Sequence, residues 1–295
     1  MKKLFLALTL LTVISCSGNN DKSDAYGNFE ATEIIISAEA GGKLLRFEAE
    51  EGLTLNANAV VGYIDTTQLA LKREQLLASQ QSIRSKSANI LAQIDVVQEQ
   101  KNVALIEKQR LEKLFEENAA TQKQLDDING QLNVLDKQMA SIETQNAAVL
   151  SDIRSLDSQI RQINDQIQKS IIINPVKGTI LTKFAEPFEV IGFGKPLYKI
   201  ADLSTMFLRV YVSGDQLPKV KIGEKVEVLI DQNKTENIKL EGEISWISSK
   251  AEFTPKIIQT KQERVNMVYA VKVRVTNDGS LKIGMPGEIK FKQPY

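Results

Sequence analysis

Few side chains in this 295-residue chain could carry out catalysis or hold a metal. The sequence contains no histidine, which removes the usual residue for proton transfer near neutral pH and for imidazole ligation of metals. Its single cysteine, Cys16, excludes an internal disulfide and a cysteine-based zinc site. Acidic pairs such as Glu116-Glu117 and Asp126-Asp127 remain, but acid–base catalysis would require their burial, and a solvated surface explains them better. The sequence therefore predicts no catalytic residue, no metal site, no cofactor and no enzymatic activity.

Cys16 lies where a signal peptide would be cleaved. Met1-Lys2-Lys3 is a charged start, and Leu4 to Ile14 is an apolar stretch too short to span a bilayer. Val13-Ile14-Ser15-Cys16 resembles the lipobox of bacterial lipoproteins, which implies that Cys16 is acylated and becomes the mature N-terminus. Residues 1–15 are thus predicted as a lipoprotein signal peptide and residues 16–29 as a lipidated N-terminus and tether. The alternative is an ordinary secretory peptide with an unrelated cysteine.

The balance of positive and negative charges bears on which kinds of molecule the protein can bind. Lysine plus arginine and aspartate plus glutamate both number 37, so the net charge is zero and no basic cluster stands out. This argues against nucleic acid or another polyanion as a partner. The length leaves room for about two domains beside any extended element.

Heptad spacing predicts a long antiparallel helical hairpin over residues 67–170. Apolar residues stepping by three and four, with one interruption at Asn146, indicate the seam of a left-handed coiled coil in the second helix. These residues are Leu125, Ile128, Leu132, Leu135, Met139, Ile142, Val149, Ile153, Leu156, Ile160, Ile163 and Ile167. In the first helix an apolar column recurs every seven residues, while the assigned d positions are mostly polar. The column is Leu69, Leu76, Ile83, Ile90, Val97, Ala104 and Leu111, and the d positions are Lys72, Ser79, Lys86, Gln93, Gln100 and Glu107.

The ends of these helices carry recognisable signals. Asp65-Thr66-Thr67 supplies a cap for the first helix, and Thr121 with Gln124 forms a capping box for the second. The segment 117–121 between them is short enough only for a tight reversal. Asn174-Pro175 is expected to stop the second helix. Each arm has about fifty residues and is roughly 75 Å long, so the hairpin should project from any compact domain.

Asn146 occupies a core position of the predicted seam. Counting outward equally from the turn places it near Gln93, which is itself polar, and a buried polar pair can fix the register of a coiled coil. The sequence therefore predicts a register pair of Asn146 and Gln93. The alternative is that Asn146 simply faces solvent where the seam is thin.

A related β pattern stands on each side of the hairpin. Gly42-Lys43-Leu44-Leu45 leads to Asp65 over 23 residues, and Gly178-Thr179-Ile180-Leu181 leads to Asp202 over 24 residues. Such a half-motif used twice predicts two four-strand halves, residues 30–66 and 171–203, closing into a flattened sandwich. Five or six further strands over residues 204–295 suggest a small closed β-barrel, with one short helix over residues 213–220. The expected fold class is α+β.

This arrangement resembles the HlyD family, the periplasmic adaptors or membrane fusion proteins of bacterial exporters. The hairpin would be inserted in a lipoyl-like domain, a barrel-sandwich hybrid, and followed by the barrel. Three stretches carry the resemblance besides this architecture: Ile173-Asn174-Pro175-Val176-Lys177-Gly178-Thr179-Ile180, Ala251-Glu252-Phe253-Thr254-Pro255-Lys256-Ile257-Ile258-Gln259-Thr260, and Gly284-Met285-Pro286-Gly287-Glu288-Ile289. The second and third resemble the barrel of short adaptors of ABC exporters. The hairpin replaces the turn that holds the modified lysine of true lipoyl domains, so no lipoyl cofactor is expected.

The resemblance implies an adaptor in the periplasm of a Gram-negative bacterium, held by lipid to a membrane, with the inner membrane expected. Its partners would be an inner-membrane transporter, a TolC-like outer-membrane channel and further copies of itself, six in the family. The chain stops at Tyr295 without the additional domain usual in adaptors of RND pumps, which favours an ABC transporter for efflux or secretion. An RND pump is the alternative. A purely structural coiled-coil lipoprotein would leave the β repeat unexplained.

The family also docks on TolC-type channels through a motif at the hairpin tip: an arginine, a leucine four residues on, and a serine seven beyond. Arg110, Leu114 and Thr121 stand at this spacing, with threonine in place of serine. The resemblance therefore implies that these three residues contact the channel. Each also has a purely structural explanation, as a solvated charge, the last seam residue and a helix cap respectively.

Overall fold

A computed structural model describes residues 23–233, 236–253 and 267–291. The predicted signal peptide, Cys16 and the first half of the predicted tether, residues 16–22, lie outside these residues. The chain divides into two compact units: Met1–Ile34 with Lys177–Leu181 and Ile200–Tyr295, and Ile35–Val176 with Thr182–Lys199.

Helices α1 (Thr67–Glu116) and α2 (Gln122–Lys169) form the antiparallel hairpin of the second unit. The N-cap of α1 is Thr66, whose side chain makes no capping hydrogen bond, while Asp65 before it accepts hydrogen bonds from the backbone N and the hydroxyl of Thr67, at 2.9 and 2.6 Å. At the other end, Asn118 adopts a left-handed backbone conformation with φ of 60°, and its neighbour Ala119 donates its N–H to the carbonyl of Leu114 at 2.7 Å. This conformation and this hydrogen bond reverse the chain, so that α2 begins after only five residues.

The end of α2 differs from the expectation. The helix is not stopped by Asn174-Pro175, because α2 ends at Lys169 and a short strand, Ile171–Ile173, comes before that pair. Three consecutive isoleucines are β-branched and favour extended backbone. Their pairing with Val60–Ile64 therefore ends the helix before the proline can.

The seam of the hairpin confirms the predicted column of α2 and corrects one column of α1. On α2, Ile128, Leu132, Leu135, Ile142 and Ile160 are buried. On α1, the second column lies four residues after each apolar residue of the first column, instead of three. It consists of Gln80, Ser87, Ile94, Lys101 and Lys108, which are buried or half-buried. A single seven-residue column can pair with a column on either side of it, and only packing decides between them.

The described strands follow one another along the chain through both units. They are β1 (Ala25–Glu30), β2 (Glu33–Ser37), β3 (Gly42–Phe47), β4 (Thr54–Leu55), β5 (Val60–Ile64), β6 (Ile171–Ile173), β7 (Gly178–Lys183), β8 (Val190–Ile191), β9 (Pro196–Ala201), β10 (Thr205–Ser213), β11 (Lys225–Asp231), β12 (Asn237–Ile247), β13 (Glu252–Phe253), β14 (Met267–Thr276) and β15 (Pro286–Phe291). The short helix expected over residues 213–220 is a single 3₁₀ turn, Leu217–Lys219.

Two four-stranded sheets contain the repeated half-motif. Their strand orders are β2-β9-β7-β4 and β6-β5-β3-β8. Each half of the repeat, β2–β5 and β6–β9, contributes two strands to each sheet, so the halves interleave. Because the hairpin is inserted between β5 and β6, which pair side by side, both of its ends start from neighbouring strands.

A closed barrel follows, with the strand order β10-β1-β15-β11-β12-β14 completed by pairing of β14 with β10. Its core includes the fully buried Phe29, Leu208, Val228 and Ile289. Strand β1 corrects the predicted tether, since residues 25–29 pair with β10 and β15. Ala25 and Phe29 are the buried residues that hold this strand, and their apolar signal is hidden in a polar stretch. With this correction, the predicted α+β fold class is confirmed.

Candidate functional site at the hairpin tip

The predicted docking residues lie at the end of α1 and the start of α2. The Arg110 side chain is 66% exposed and its Nη1 lies 2.8 Å from Oε2 of Glu107. An exposed ion pair of this kind stabilises a helix only weakly, by about 0.3 to 0.5 kcal/mol. The guanidinium can therefore exchange Glu107 for a partner's carboxylate or carbonyl at little cost.

Leu114 stands one turn beyond Arg110 and is 36% exposed. Phe115 beside it is 39% exposed, and the sequence reasoning did not single it out. Two adjacent large apolar side chains in the last turn of α1 give the tip an apolar surface next to the arginine. In the sequence, the adjacent Leu114 and Phe115 just before the turn are the signal that could have predicted this apolar surface.

Thr121 caps α2 with both its hydroxyl and its backbone N–H. Its hydroxyl accepts a hydrogen bond from Gln124 N at 3.4 Å, and its own N–H donates to Gln124 Oε1 at 2.7 Å. The same hydroxyl donates to Gln124 Oε1 at 3.0 Å. The capping box is present as predicted, and a partner would meet the Thr121 methyl group and the remaining lone pair of its oxygen.

The predicted register pair is replaced by another. Asn146 is half-buried in the seam, where its Oδ1 accepts a hydrogen bond from Ser87 Oγ at 2.8 Å. Gln93 is exposed, because the seam column of α1 runs through Ile94 instead. The corrected pair is therefore Ser87–Asn146, and its role in fixing the register stays a proposal.

Two further polar pairs cross the hairpin. Gln80 donates its amide to Asp157, and Lys101 Nζ forms an ion pair with Asp136 Oδ1 at 2.6 Å. Gln80 is only 7% exposed, so the seam of α1 is polar in its interior as well as at its edge. Apolar attraction alone therefore specifies the alignment of the two helices less tightly here than in an all-leucine seam.

Replacing Asn146 by leucine is expected to raise the stability of the hairpin by about 1 kcal/mol, because a half-buried apolar side chain replaces a polar one. The Ser87 hydroxyl can turn to a carbonyl of its own helix. Without the polar pair, the two helices should sample more than one register. Thermal unfolding followed by circular dichroism measures the first effect, and spin-label distances across the hairpin measure the second. Asn133→Leu, at an exposed position of α2, is the control; a less stable Asn146→Leu protein with one register would contradict the proposal.

The described residues contain no group of three or more Cys, Asp or Glu side chains placed to hold a metal ion. Within the same ranges, no helix combines the length and apolar character needed to cross a membrane.

Comparisons with known proteins point to membrane-associated relatives. No protein-family model matches the chain. A UPF0194 membrane protein of Yersinia enterocolitica is 32% identical over 129 residues, which cover 43% of this chain and 39% of the Yersinia protein. One from Yersinia pseudotuberculosis is 32% identical over 128 residues, 43% of this chain and 38% of its own length. This chain thus matches about two fifths of the length of these relatives.

Solved structures extend the similarity to most of the chain. MacA from Actinobacillus actinomycetemcomitans is 20% identical with a TM-score of 0.57, covering 90% of this chain and 76% of MacA. A MacA-MexA chimera carrying the Pseudomonas aeruginosa MexA α-hairpin is 18% identical with a TM-score of 0.52, covering 90% of this chain and 78% of the chimera. The periplasmic adaptor protein EmrA is 16% identical and covers 92% of this chain and 98% of its own, but its TM-score of 0.46 is too low to support the fold. The two MacA-based structures establish the fold alone.

Proposed function

We propose that this protein is a periplasmic adaptor of the HlyD type, linking an inner-membrane exporter to a TolC-like outer-membrane channel. The observation that carries the proposal is the hairpin of 50- and 48-residue helices with its exposed tip, inserted between the two interleaved halves of the β repeat and accompanied by a closed barrel. Relatives that are membrane proteins, and the fold shared with MacA, support a role at the membrane. A helix pair of roughly 75 Å with an exposed end suits a long spacer between partners.

An ABC transporter is the proposed inner-membrane partner, with an RND pump as the alternative. Affinity purification of the tagged full chain in mild detergent, followed by identification of co-purifying membrane proteins, tests this choice. Recovery of an ATPase-bearing transporter supports the ABC partner, and recovery of an RND pump supports the alternative. Recovery of neither, from cells in which the candidate transporters are expressed, would contradict the adaptor role.

Assembly is the second part of the proposal. One hairpin cannot enclose a channel, so several copies must associate, and the resemblance implies six. The exposed side chains of α1 at Val96, Val103 and Ile106, each about 60% exposed, would be covered by neighbouring hairpins. Mass measurement of the complex purified with its transporter distinguishes a ring from a dimer.

Anchoring depends on Cys16, and we predict that Cys16→Ser abolishes lipid labelling because acylation requires the thiol. The variant should move from the membrane fraction to the soluble fraction of the periplasm, since two or more acyl chains anchor stably where a single chain is marginal. Metabolic labelling with palmitate and fractionation measure both effects, and Ser15→Ala, beside the thiol, is the control. A wild-type protein that is soluble in the periplasm and unlabelled would refute the anchor.

A further inference from the structure

The outer face of the barrel carries a cavity of about 320 Å³ that the proposed adaptor role does not use. It spans the adjacent strands β10, β1, β15 and β11. Two tyrosines and two apolar residues line it: Tyr26, Tyr211, Leu229 and Pro286. Three carboxylates and one arginine also line it: Glu30, Asp231, Glu288 and Arg209. This volume lies at the lower end of the range of small-molecule sites, which are mostly apolar with a few polar groups.

The floor of the cavity is bare backbone. Gly27 of β1 and Gly287 of β15 are register partners and both line the cavity. A Cβ at Gly27 would lie 1.8 Å from the carbonyl oxygen of Arg209, so only glycine lets β1 approach β10 this closely. No side chain can therefore rise from Gly27 without displacing the strands.

The positive charge at the cavity is already neutralised. Nη2 of Arg209 donates to both carboxylate oxygens of Glu252, at 3.1 and 3.0 Å. Glu30 lies 3.5 Å from Lys272 Nζ and 3.9 Å from Arg209 Nη1. The local acids therefore hold the two terminal nitrogens of the guanidinium, while its Nε is buried without a hydrogen-bond partner among the described residues, so Arg209 presents little of its charge to an anionic ligand.

Two carboxylates at the cavity keep their negative charge unpaired. Glu288 accepts a hydrogen bond from the Ser23 hydroxyl, which is neutral. Neither Glu288 nor Asp231 forms an ion pair with a lysine or arginine of the described ranges. The cavity is thus negative where it is open to a ligand.

Aromatic faces accompany these charges. Tyr26 and Tyr211 are register partners on β1 and β10, and Tyr26 is 55% exposed. The Arg209 guanidinium lies 5.9 Å from the centre of the Tyr211 ring, so a cation–π contact already exists at one wall. Tyr26 offers a second ring with no cation within the described contacts. Aromatic faces beside carboxylates are the chemistry that recognises organic ammonium ions.

We propose that this cavity binds small organic cations that carry an apolar body, with Tyr26 against the cationic group and with Asp231 and Glu288 supplying its counter-charge. Leu229 and Pro286 would contact the apolar part. The proposal does not rest on the adaptor function, because every residue it uses belongs to the barrel.

Titration of the full chain in nonionic detergent with benzyltriethylammonium tests the proposal, with benzenesulfonate as a ring of opposite charge. Calorimetry and ligand-observed NMR should show binding of the cation at a dissociation constant of about 0.1 mM, in keeping with a ligand of this size. The anion should bind at least about tenfold more weakly, since the unpaired charges of the cavity are negative.

Matched variants place the binding in the cavity. Asp231→Asn and Glu288→Gln keep side-chain shape and remove charge, and each should weaken binding by about three- to fivefold. Tyr26→Ala should weaken binding by about fivefold through loss of the ring. Glu243→Gln, at an exposed acid of β12 outside the cavity, should leave it unchanged. Unfolding curves matching the wild type show that each variant is folded. The proposal would be overturned if the cation and the anion bound equally well. It would also be overturned if all four variants bound the cation with the affinity of the wild type.

Discussion

Replacing Arg110 by alanine is expected to abolish export and recovery of the outer-membrane channel, while folding, abundance and lipid labelling stay as in the wild type. The Arg110 side chain is two-thirds exposed, and it forms an ion pair with Glu107 on the same helix. Losing that pair lowers the stability of the helix by about 0.5 kcal/mol at most, so the variant should fold like the wild type. An arginine lost from a docking surface removes several directional hydrogen bonds at once, typically about 2 kcal/mol or more at an interface hot spot.

The size of this effect depends on how many copies of the protein bind one channel. If six copies contribute to one ring, as the resemblance implies, a loss of about 2 kcal/mol per tip multiplies across the assembly, because the copies bind the channel together. Export should then fall by more than about tenfold in a complemented strain. Transport assays and co-purification of the channel are the two measurements.

Two control variants separate docking from helix stability. Thr121→Ser keeps the capping hydroxyl and should be nearly silent in both measurements. Glu107→Ala removes the partner of Arg110 but leaves the guanidinium free, so export should be close to normal if Arg110 acts on the channel. Were Arg110→Ala to export fully at native abundance, the docking role would be wrong.

The hairpin, the repeat and the closed barrel were the parts of the fold that the sequence could predict. Periodic apolar residues on α2 and the capping box at Thr121 are local signals, and both appear in the structure as expected. Strand β1 and the second column of α1 were missed because tertiary packing decides them. Phe29 is a single apolar residue in a polar stretch until β10 and β15 enclose it, and Ser87 becomes a seam residue only when α2 packs against it.

Of the candidate site, the sequence could predict where Arg110, Leu114 and Thr121 lie but not what their neighbours do. The exposure of Phe115 and the engagement of the Thr121 hydroxyl depend on the geometry of the turn. The barrel cavity could not be anticipated at all. It joins residues from four strands that lie up to 262 positions apart in the chain, between Tyr26 and Glu288.

Replacing Asn174 by alanine is expected to lower the free energy of unfolding of the second unit by about 3 to 4 kcal/mol. Asn174 is fully buried directly after β6. Its Nδ2 donates to the carbonyls of Asn56, at 2.8 Å, and Val176, at 2.5 Å, and its Oδ1 accepts from the Tyr198 hydroxyl at 3.1 Å. Alanine would leave a buried hydroxyl and two carbonyls without these partners, and each such group costs about 1 to 3 kcal/mol.

This bonding ties the return from the hairpin to the loop before β5. The backbone of Asn174 also exchanges hydrogen bonds with the loop, from Asn58 N at 2.7 Å and to Ala59 O at 2.8 Å. Urea unfolding followed by circular dichroism measures the loss in the variant. Asn133→Ala, an exposed asparagine of α2, should change stability by no more than about 0.5 kcal/mol. A loss below about 1 kcal/mol for Asn174→Ala would show that water or a rearranged loop replaces the side chain.

The stability of the protein at alkaline pH tests the hydrogen bond between Tyr198 and Asn174 without a substitution at Asn174. Burial raises the pKa of Tyr198 to about 12, from an ordinary value near 10. The neutral hydroxyl is therefore favoured in the folded state, and its contribution is complete below pH 10 and lost as the pH rises from 10 to 12. Two pKa units correspond to about 3 kcal/mol at the upper end of this range. Tyr198→Phe should be less stable at pH 7, since Asn174 Oδ1 loses its donor, but it should lack this part of the alkaline decline. If wild type and Tyr198→Phe lose stability in parallel between pH 10 and 12, the buried phenol is not the group that titrates.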